Sequence, residues 1–215
     1  MTRIIIRPFK VEDRDFVRYL CCETAFFGKP AEKFFEGREV LADILTRYFT
    51  DFEPESLFIA EIDGVKAGYL AGSRDIKKLK KIFKMKILPV VIIKALLTGT
   101  IFKKKNMVFI YNCAKSFFKK ELFFHDFSSQ YPATLHINVD SGYRNMKIGE
   151  KLVEQYYDYL RKQNTKGVFL ETVSERAVKF FQRMGFLILR KQRISYYSHL
   201  TDEKVYRFTL GKKLL

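Results

Sequence analysis

Two basic residues and a glycine lie in a short loop between an apolar segment and an amphipathic one. Residues 131–139 are predicted to form a strand, and apolar side chains recur at helical spacing over residues 148–163. The loop carries Arg144, Lys147 and Gly149. The first N–H groups of a helix have no intrahelical acceptor, so this junction is suited to binding an anion such as a diphosphate. Solvated loop charges are the alternative interpretation.

A second block follows this junction directly. Residues 167–173 are an apolar run predicted to form a buried strand, and a helix is predicted over residues 176–184. Gly185 comes next, where a left-handed C-terminal cap requires glycine. Residues 186–196 and 205–210 then fit a closing antiparallel pair of strands.

The elements that must position these blocks begin near the N-terminus. Asp63–Gly64 lies between two apolar runs, which predicts a β-hairpin. The other predicted elements are strands over residues 4–6, 56–62 and 65–71 and helices over residues 11–22 and 38–49. This order predicts a mixed α/β (α+β) fold in which helices flank a mostly antiparallel sheet.

Composition and charge narrow the class of protein. The chain has 215 residues, of which 47% are hydrophobic and 30% charged, as in ordinary globular proteins. Its formal charge of +16 favours anionic partners. Three cysteines, two of them adjacent, predict neither a disulfide framework nor a zinc site. They indicate a reducing compartment, and the N-terminus lacks the apolar region of a signal peptide, so we expect a cytoplasmic protein without a metal.

A basic, largely helical insertion is predicted at about residues 74–130. It holds 14 Lys or Arg residues against 3 Asp or Glu, a net charge of +11. Residues 87–102 are apolar but short, and they contain Pro89 and Lys94, so a membrane span is not expected.

Three roles are open for this insertion. Its helices could cover a cleft with their lysines toward water. They could instead lie on an anionic membrane surface or bind an acidic partner. Aromatic residues among the lysines, Phe117–Phe118 and Phe123–Phe124, are compatible with RNA stacking, although nucleic acid is the least favoured of the three.

The two blocks together resemble the GNAT acetyltransferase superfamily. That family carries Arg/Gln-x-x-Gly-x-Gly/Ala between its fourth strand and third helix, and Arg144 and Gly149 match while Lys147 replaces the middle glycine. The family also carries Asn-x-x-Ala-x-x-Phe-Tyr before Gly-Phe. Residues 174–186 match this pattern in part.

The resemblance extends to the rest of the chain outside the insertion. Residues 5–13 resemble the family's opening strand and helix, residues 58–69 its second and third strands, and residues 131–137 a bacterial subgroup. It implies a single acetyltransferase domain over residues 1–215 that moves an acetyl group from acetyl-CoA to an amine by direct attack in a ternary complex. A homodimer is a further hypothesis.

The resemblance also implies which residues contact acetyl-CoA. The pantetheine would run along the fourth strand and the diphosphate would rest on the loop after it. The residues concerned are Ile137, Asn138, Val139, Arg144, Asn145, Met146, Lys147, Ile148, Gly149, Ser174, Ala177 and Phe181.

A general base and a general acid are also needed for acetyl transfer to an amine. His136 and Glu171 are the candidate catalytic residues, with Glu61 a third option for the base. A packed His136 and a solvated Glu171 are the alternative interpretations. The tyrosine that usually protonates the departing thiolate is Phe181 here. Another acid or water could replace it, or the chain could be a CoA-binding module with weak turnover.

Overall fold

Seven strands form one mixed sheet in the computed structural model, which describes residues 3–122 and 125–214. The sheet order is β1-β2-β3-β4-β5-β7-β6, and β4–β5 is its one parallel pair. The predicted mixed, mostly antiparallel sheet is therefore confirmed. The strands are Ile4–Pro8 (β1), Leu57–Ile62 (β2), Val65–Ser73 (β3), Ala133–Val139 (β4), Gly167–Thr172 (β5), Leu187–Ile194 (β6) and Val205–Lys213 (β7).

Seven α-helices flank this sheet in the described part of the chain. They are Arg14–Thr24 (α1), Arg38–Asp51 (α2), Ile76–Ile82 (α3), Leu88–Leu97 (α4), Lys104–Phe118 (α5), Ile148–Lys162 (α6) and Glu175–Arg183 (α7). A π-helical turn at Phe83–Ile87 joins α3 to α4 without a break. No helix in the described residues combines the length and the apolar character needed to cross a bilayer.

Local backbone geometry explains the predicted turns. Asp63 and Gly64 both have positive φ, 48° and 84°, as a two-residue hairpin between β2 and β3 requires. Gly185 ends α7 at a φ of 85°, a left-handed conformation that glycine adopts without steric cost.

The two faces of the sheet bury separate apolar clusters. On one face, α6 packs Leu152, Val153 and Tyr156 against the sheet. On the other face, α1 packs Val17 and Leu20 against residues of β2 and β3. Side chains alternate along a strand, so β4 sends Leu135 and Ile137 toward α6 and His136 and Asn138 toward α1.

The insertion is helical, as predicted, and one side of it is packed on the body of the protein. Val91 and Ala95 of α4 are buried against α2. The insertion therefore covers one side of α2. The stacking segment Phe123–Phe124 lies outside the described residues.

Candidate active site

The sheet opens where β4 and β5 meet. These strands pair only at Ala133–Val168 and Thr134–Phe169 and then diverge, whereas β4 stays paired with β3 as far as Val139. One edge of β4, from residue 135 to residue 139, therefore faces a gap instead of a neighbouring strand. Unpaired backbone groups along such an edge can bind an extended chain of amides.

A tyrosine from α6 holds β4 at the point of divergence. The Tyr156 hydroxyl donates its one proton to the Thr134 carbonyl oxygen at 2.9 Å and shares it with the Ser73 carbonyl oxygen at 3.2 Å. Its ring lies over Gly72, where an added Cβ would be only 2.3 Å from the ring atoms. Glycine at position 72 is thus required for the ring to reach both strands.

The loop from β4 to α6 is shaped by a short turn and two left-handed residues. The Asp140 carboxylate accepts from the Gly142 N–H at 2.8 Å, which starts the turn. Asn145 and Lys147 then have φ values of 70° and 58°. Lys147 adopts the left-handed conformation that is easiest for glycine, so the missing signature glycine does not prevent the loop from reversing direction here.

A run of free backbone donors follows from this geometry. Lys151 N–H donates to the Lys147 carbonyl oxygen at 3.1 Å and is the first amide of α6 with an acceptor. Within the described residues, the N–H groups of residues 145–150 have no hydrogen-bond acceptor. Gly149 lies close against Phe180, because a Cβ there would be 3.2 Å from the Phe180 ring. These donors, with the helix dipole behind them, lie beside the gap and are suited to binding an anion.

The predicted cofactor residues of β4 and of this loop differ in what their side chains contact. Ile148 is buried in the core under α6, and Met146, Ile137 and Val139 pack against the same core. The Arg144 guanidinium reaches across to the Gly28 carbonyl oxygen at 3.4 Å. For Ile148, which is buried, any contact with a cofactor would come from the backbone.

The side chains of the second block, residues 174–186, mainly stabilise the fold. The Ser174 hydroxyl oxygen accepts from the Ala177 N–H at 3.3 Å and so caps α7. Phe181 is 3% exposed and lies between Phe180 and Phe186, with ring centroids 5.0 and 5.2 Å away. Its ring therefore fills core space.

His136 belongs to a polar cluster between β4 and α1. Its Nε2 lies 3.0 Å from the Asn138 amide nitrogen and 3.9 Å from Cys21 Sγ, and Asn138 also donates to the Tyr69 hydroxyl at 2.8 Å. Burial lowers the pKa of His136 to about 4 and raises the pKa of Cys21 to about 12. The imidazole is therefore neutral, and its accepting nitrogen is already occupied.

Glu171 lies on β5 on the far side of the gap. If the β4–β5 pairing continued past Thr134–Phe169, Glu171 would stand opposite His136. Its side chain is 29% exposed, and its carboxylate accepts from the Thr209 hydroxyl at 3.3 Å. Burial raises the pKa of Glu171, although the nearby Arg207 opposes this shift. Glu61, in contrast, lies on β2 in an ion pair with Arg7 and is two strands away from β4.

Arg207 and Tyr196 were not recognised from the sequence as neighbours of Glu171. The Arg207 Nε lies 4.0 Å from the Glu171 carboxylate, and burial raises the pKa of Tyr196 to about 12. The charges of Arg207 and Glu171 both act on Tyr196. Arg207 lies on β7 and Tyr196 lies in the connection between β6 and β7, and no sequence motif marks either residue.

A separate concavity lies away from this gap. It has a volume of about 460 Å³ and lies at the C-terminal end of α6, with Glu53, Arg74, Gln163 and Lys166 among its lining residues. It is remote from the free amides at the other end of that helix, so the gap and the amides define the candidate site. No group of three or more His, Cys, Asp or Glu in the described residues is arranged to hold a metal ion.

Comparison with known proteins identifies the family. A model of the acetyltransferase (GNAT) family matches residues 25–186, which is most of the chain. The chain belongs to this family. It is therefore an N-acetyltransferase that uses acetyl-CoA, and the free amides and the open sheet edge fit that molecule's diphosphate and amide-bearing arm. No curated protein sequence matches the chain.

Solved structures of GNAT proteins share the fold over nearly the full length. SsHAT has 20% identity and a TM-score of 0.73, with 99% of this chain and 98% of that chain covered. A polyamine N-acetyltransferase from Drosophila melanogaster, an enzyme that forms N-acetylagmatine, has 14% identity and a TM-score of 0.60, covering 98% and 100%. The protein yncA from Salmonella typhimurium, solved with its cofactor acetyl-CoA, has 10% identity and a TM-score of 0.57, covering 99% and 94%.

Proposed function

We propose that this GNAT protein transfers the acetyl group of acetyl-CoA directly to an amine of a small molecule or protein, with both substrates bound at the gap between β4 and β5. The run of free N–H groups over residues 145–150 beside that gap is the observation that carries the proposal. These donors bind the diphosphate, and the exposed Lys147 adds positive charge.

The edge of β4 positions the acetyl donor in this proposal. Backbone groups of Ile137, Asn138 and Val139 bind the amides of the pantetheine arm as an added strand would. An N–H at the same edge polarises the thioester carbonyl. The amine nitrogen then bonds to the acetyl carbon while the carbon–sulfur bond breaks, and the thiolate leaves.

Glu171 is the proposed general base. It accepts the proton that the amine loses, and its raised pKa brings it nearer to the pH at which the enzyme works. His136 is less suited, because its pKa is near 4 and its Nε2 already accepts from Asn138. Phe181 has no hydroxyl, so water protonates the departing thiolate.

Isothermal titration with acetyl-CoA tests the cofactor site. Lys147→Glu puts a negative charge next to the free amides, and we expect its Kd to rise about tenfold or more. Lys162→Glu, an exposed change at the opposite end of α6, is the matched control and should stay within about twofold. Absence of binding to the unmodified protein at millimolar acetyl-CoA would contradict the proposal.

A CoA-binding module with weak turnover is the second candidate function. It is favoured by the buried Phe181 in place of the usual acid. Thiol release from acetyl-CoA, measured across a broad panel of amines, separates the two. Binding without release would favour the module.

We also propose a cytoplasmic location. The three cysteines are free, and Cys21 and Cys22 are buried as packing residues, which suits a reducing compartment. Imaging of a tagged full-length chain tests the location. A homodimer stays a hypothesis that light scattering can check.

A further inference from the structure

The outward sides of α4 and α5 expose large apolar side chains. Of the 20 exposed large hydrophobic residues in the described chain, 13 lie between Met85 and Phe118. On α4 they include Ile93 and Leu97, which are 56% and 84% exposed, and on α5 they include Met107 and Tyr111. A concentration of this kind marks an interaction surface on a folded protein.

The segment that carries this surface has charged side chains of one sign only. Residues 76–120 contain 13 lysines and no Asp, Glu or Arg. Only Lys94 and Lys105 form ion pairs within the described residues, with acidic groups of α2 and of the segment before it. The other 11 lysines form no ion pair within the described residues, although Lys77 and Lys80 are near enough to Asp126 to lower its pKa.

The inner contacts of both helices fix this surface in place. Lys94 Nζ donates to Asp43 of α2 at 2.7 Å, next to the buried Val91 and Ala95. On α5 the Asn106 amide nitrogen donates to the carbonyl oxygens of Thr100 and Glu36, at 2.7 and 2.6 Å. The apolar outer sides are therefore exposed to solvent while both helices stay packed on the rest of the protein.

We propose that this α4–α5 surface docks flat on an anionic phospholipid membrane. Aliphatic side chains enter the boundary between headgroups and acyl chains, while the lysines neutralise lipid phosphates. A second copy of the chain would bring like charges together. Lysine is depleted from protein–protein interface cores, and a nucleic-acid surface would be expected to contain arginine.

Vesicle co-sedimentation tests the proposal with the full-length protein. We expect binding to phosphatidylcholine vesicles that contain phosphatidylglycerol and weak binding to pure phosphatidylcholine. Ile93→Glu with Leu97→Glu should lower the partition coefficient by about tenfold or more. The matched control, Val65→Glu with Leu187→Glu, changes residues that are 54% and 70% exposed outside the insertion and should change binding by less than about twofold.

A second pair of variants tests the charge requirement. Lys103→Gln with Lys104→Gln should weaken binding about fivefold for each lysine, whereas Lys33→Gln with Lys204→Gln changes the net charge equally and should have little effect. Unchanged circular dichroism and acetyl-CoA affinity show that each variant is folded. Equal effects of test and control pairs would overturn the proposal. So would equal binding to neutral vesicles, or a dimer that Ile93→Glu dissociates without any vesicle binding.

Discussion

Lys147 shows how one residue can depart from a family pattern and keep the pattern's geometry. Its φ of 58° costs a non-glycine residue about 1–2 kcal/mol, and its charge lies beside the anion site. The sequence indicated the departure but could not show that lysine adopts the left-handed conformation. At this position the lysine charge favours binding of the diphosphate, whereas the lysine backbone conformation lowers the stability of the fold.

Replacing Lys147 separates these two effects. Lys147→Gly should raise the free energy of unfolding by about 0.5–1 kcal/mol, because glycine adopts this conformation freely. It should also weaken acetyl-CoA binding severalfold, because a cation is lost. Chemical denaturation and titration measure the two changes. Asn164→Gly is the control, since Asn164 has a φ of 53° and no charge and lies just past the C-terminal end of α6, and its acetyl-CoA affinity should not change.

Glu171 has a consequence for the pH dependence of the rate. Burial raises its pKa, so the ionised base that accepts a proton is lost as pH falls through a value above the ordinary range for Glu. Glu171→Gln should lower kcat by about 100-fold or more, remove this acidic limb and leave acetyl-CoA affinity unchanged. Steady-state kinetics against pH measure it, with Glu154→Gln, an exposed change on α6, as control. A retained limb in Glu171→Gln would rule out this role.

At the scale of elements, the gap depends on the contact between α6 and β4. Tyr156→Phe removes the hydrogen bonds to Thr134 and Ser73, which should cost about 1–3 kcal/mol of stability and weaken acetyl-CoA binding. Tyr157→Phe is the matched control, because the Tyr157 hydroxyl donates to Met184 at the end of α7 and not to β4. Denaturation and titration should show lost affinity only for Tyr156→Phe.

Element boundaries were predictable where periodicity and turn residues agree. The Asp63–Gly64 hairpin, the Gly185 cap and the α6 helix lie where the sequence placed them. The π-helical turn at Phe83–Ile87 was not predicted, because a periodic run of apolar and basic residues looks the same through such a turn. The start of the divergence between β4 and β5 was also invisible, since it depends on pairing between strands distant in sequence.

At the scale of the whole molecule, acid weakens the fold in two steps. A neutral His136 with a pKa near 4 binds a proton later than the unfolded chain does, whose histidine has a pKa near 6.5, so stability is lost as pH falls from about 6.5 to 4. Although burial opposes ionisation of Asp13, Arg7 and Lys66 hold its pKa below the usual range. Its contribution, present above the unfolded pKa, is lost at still lower pH.

The first step can be isolated by mutation. Between pH 7 and pH 5, His136 should account for a loss of about 2 kcal/mol in the free energy of unfolding. His136→Gln should remove that loss, while His125→Gln, which changes an exposed residue, should not. Urea denaturation at both pH values measures the difference. The same pH dependence in His136→Gln and the unmodified protein would contradict the assignment.

The sequence by itself determined the order of elements, the family resemblance and the position of the loop between β4 and α6, because these depend on local periodicity, turn chemistry and spacing. Tertiary structure alone decided that β4 and β5 diverge after two residue pairs and that His136 Nε2 accepts a hydrogen bond from Asn138. It also decided that Arg207 lies beside Glu171. It also decided which sides of the lysine-rich helices are buried. Each of these depends on contacts between residues far apart in the chain, and a linear pattern does not specify such contacts.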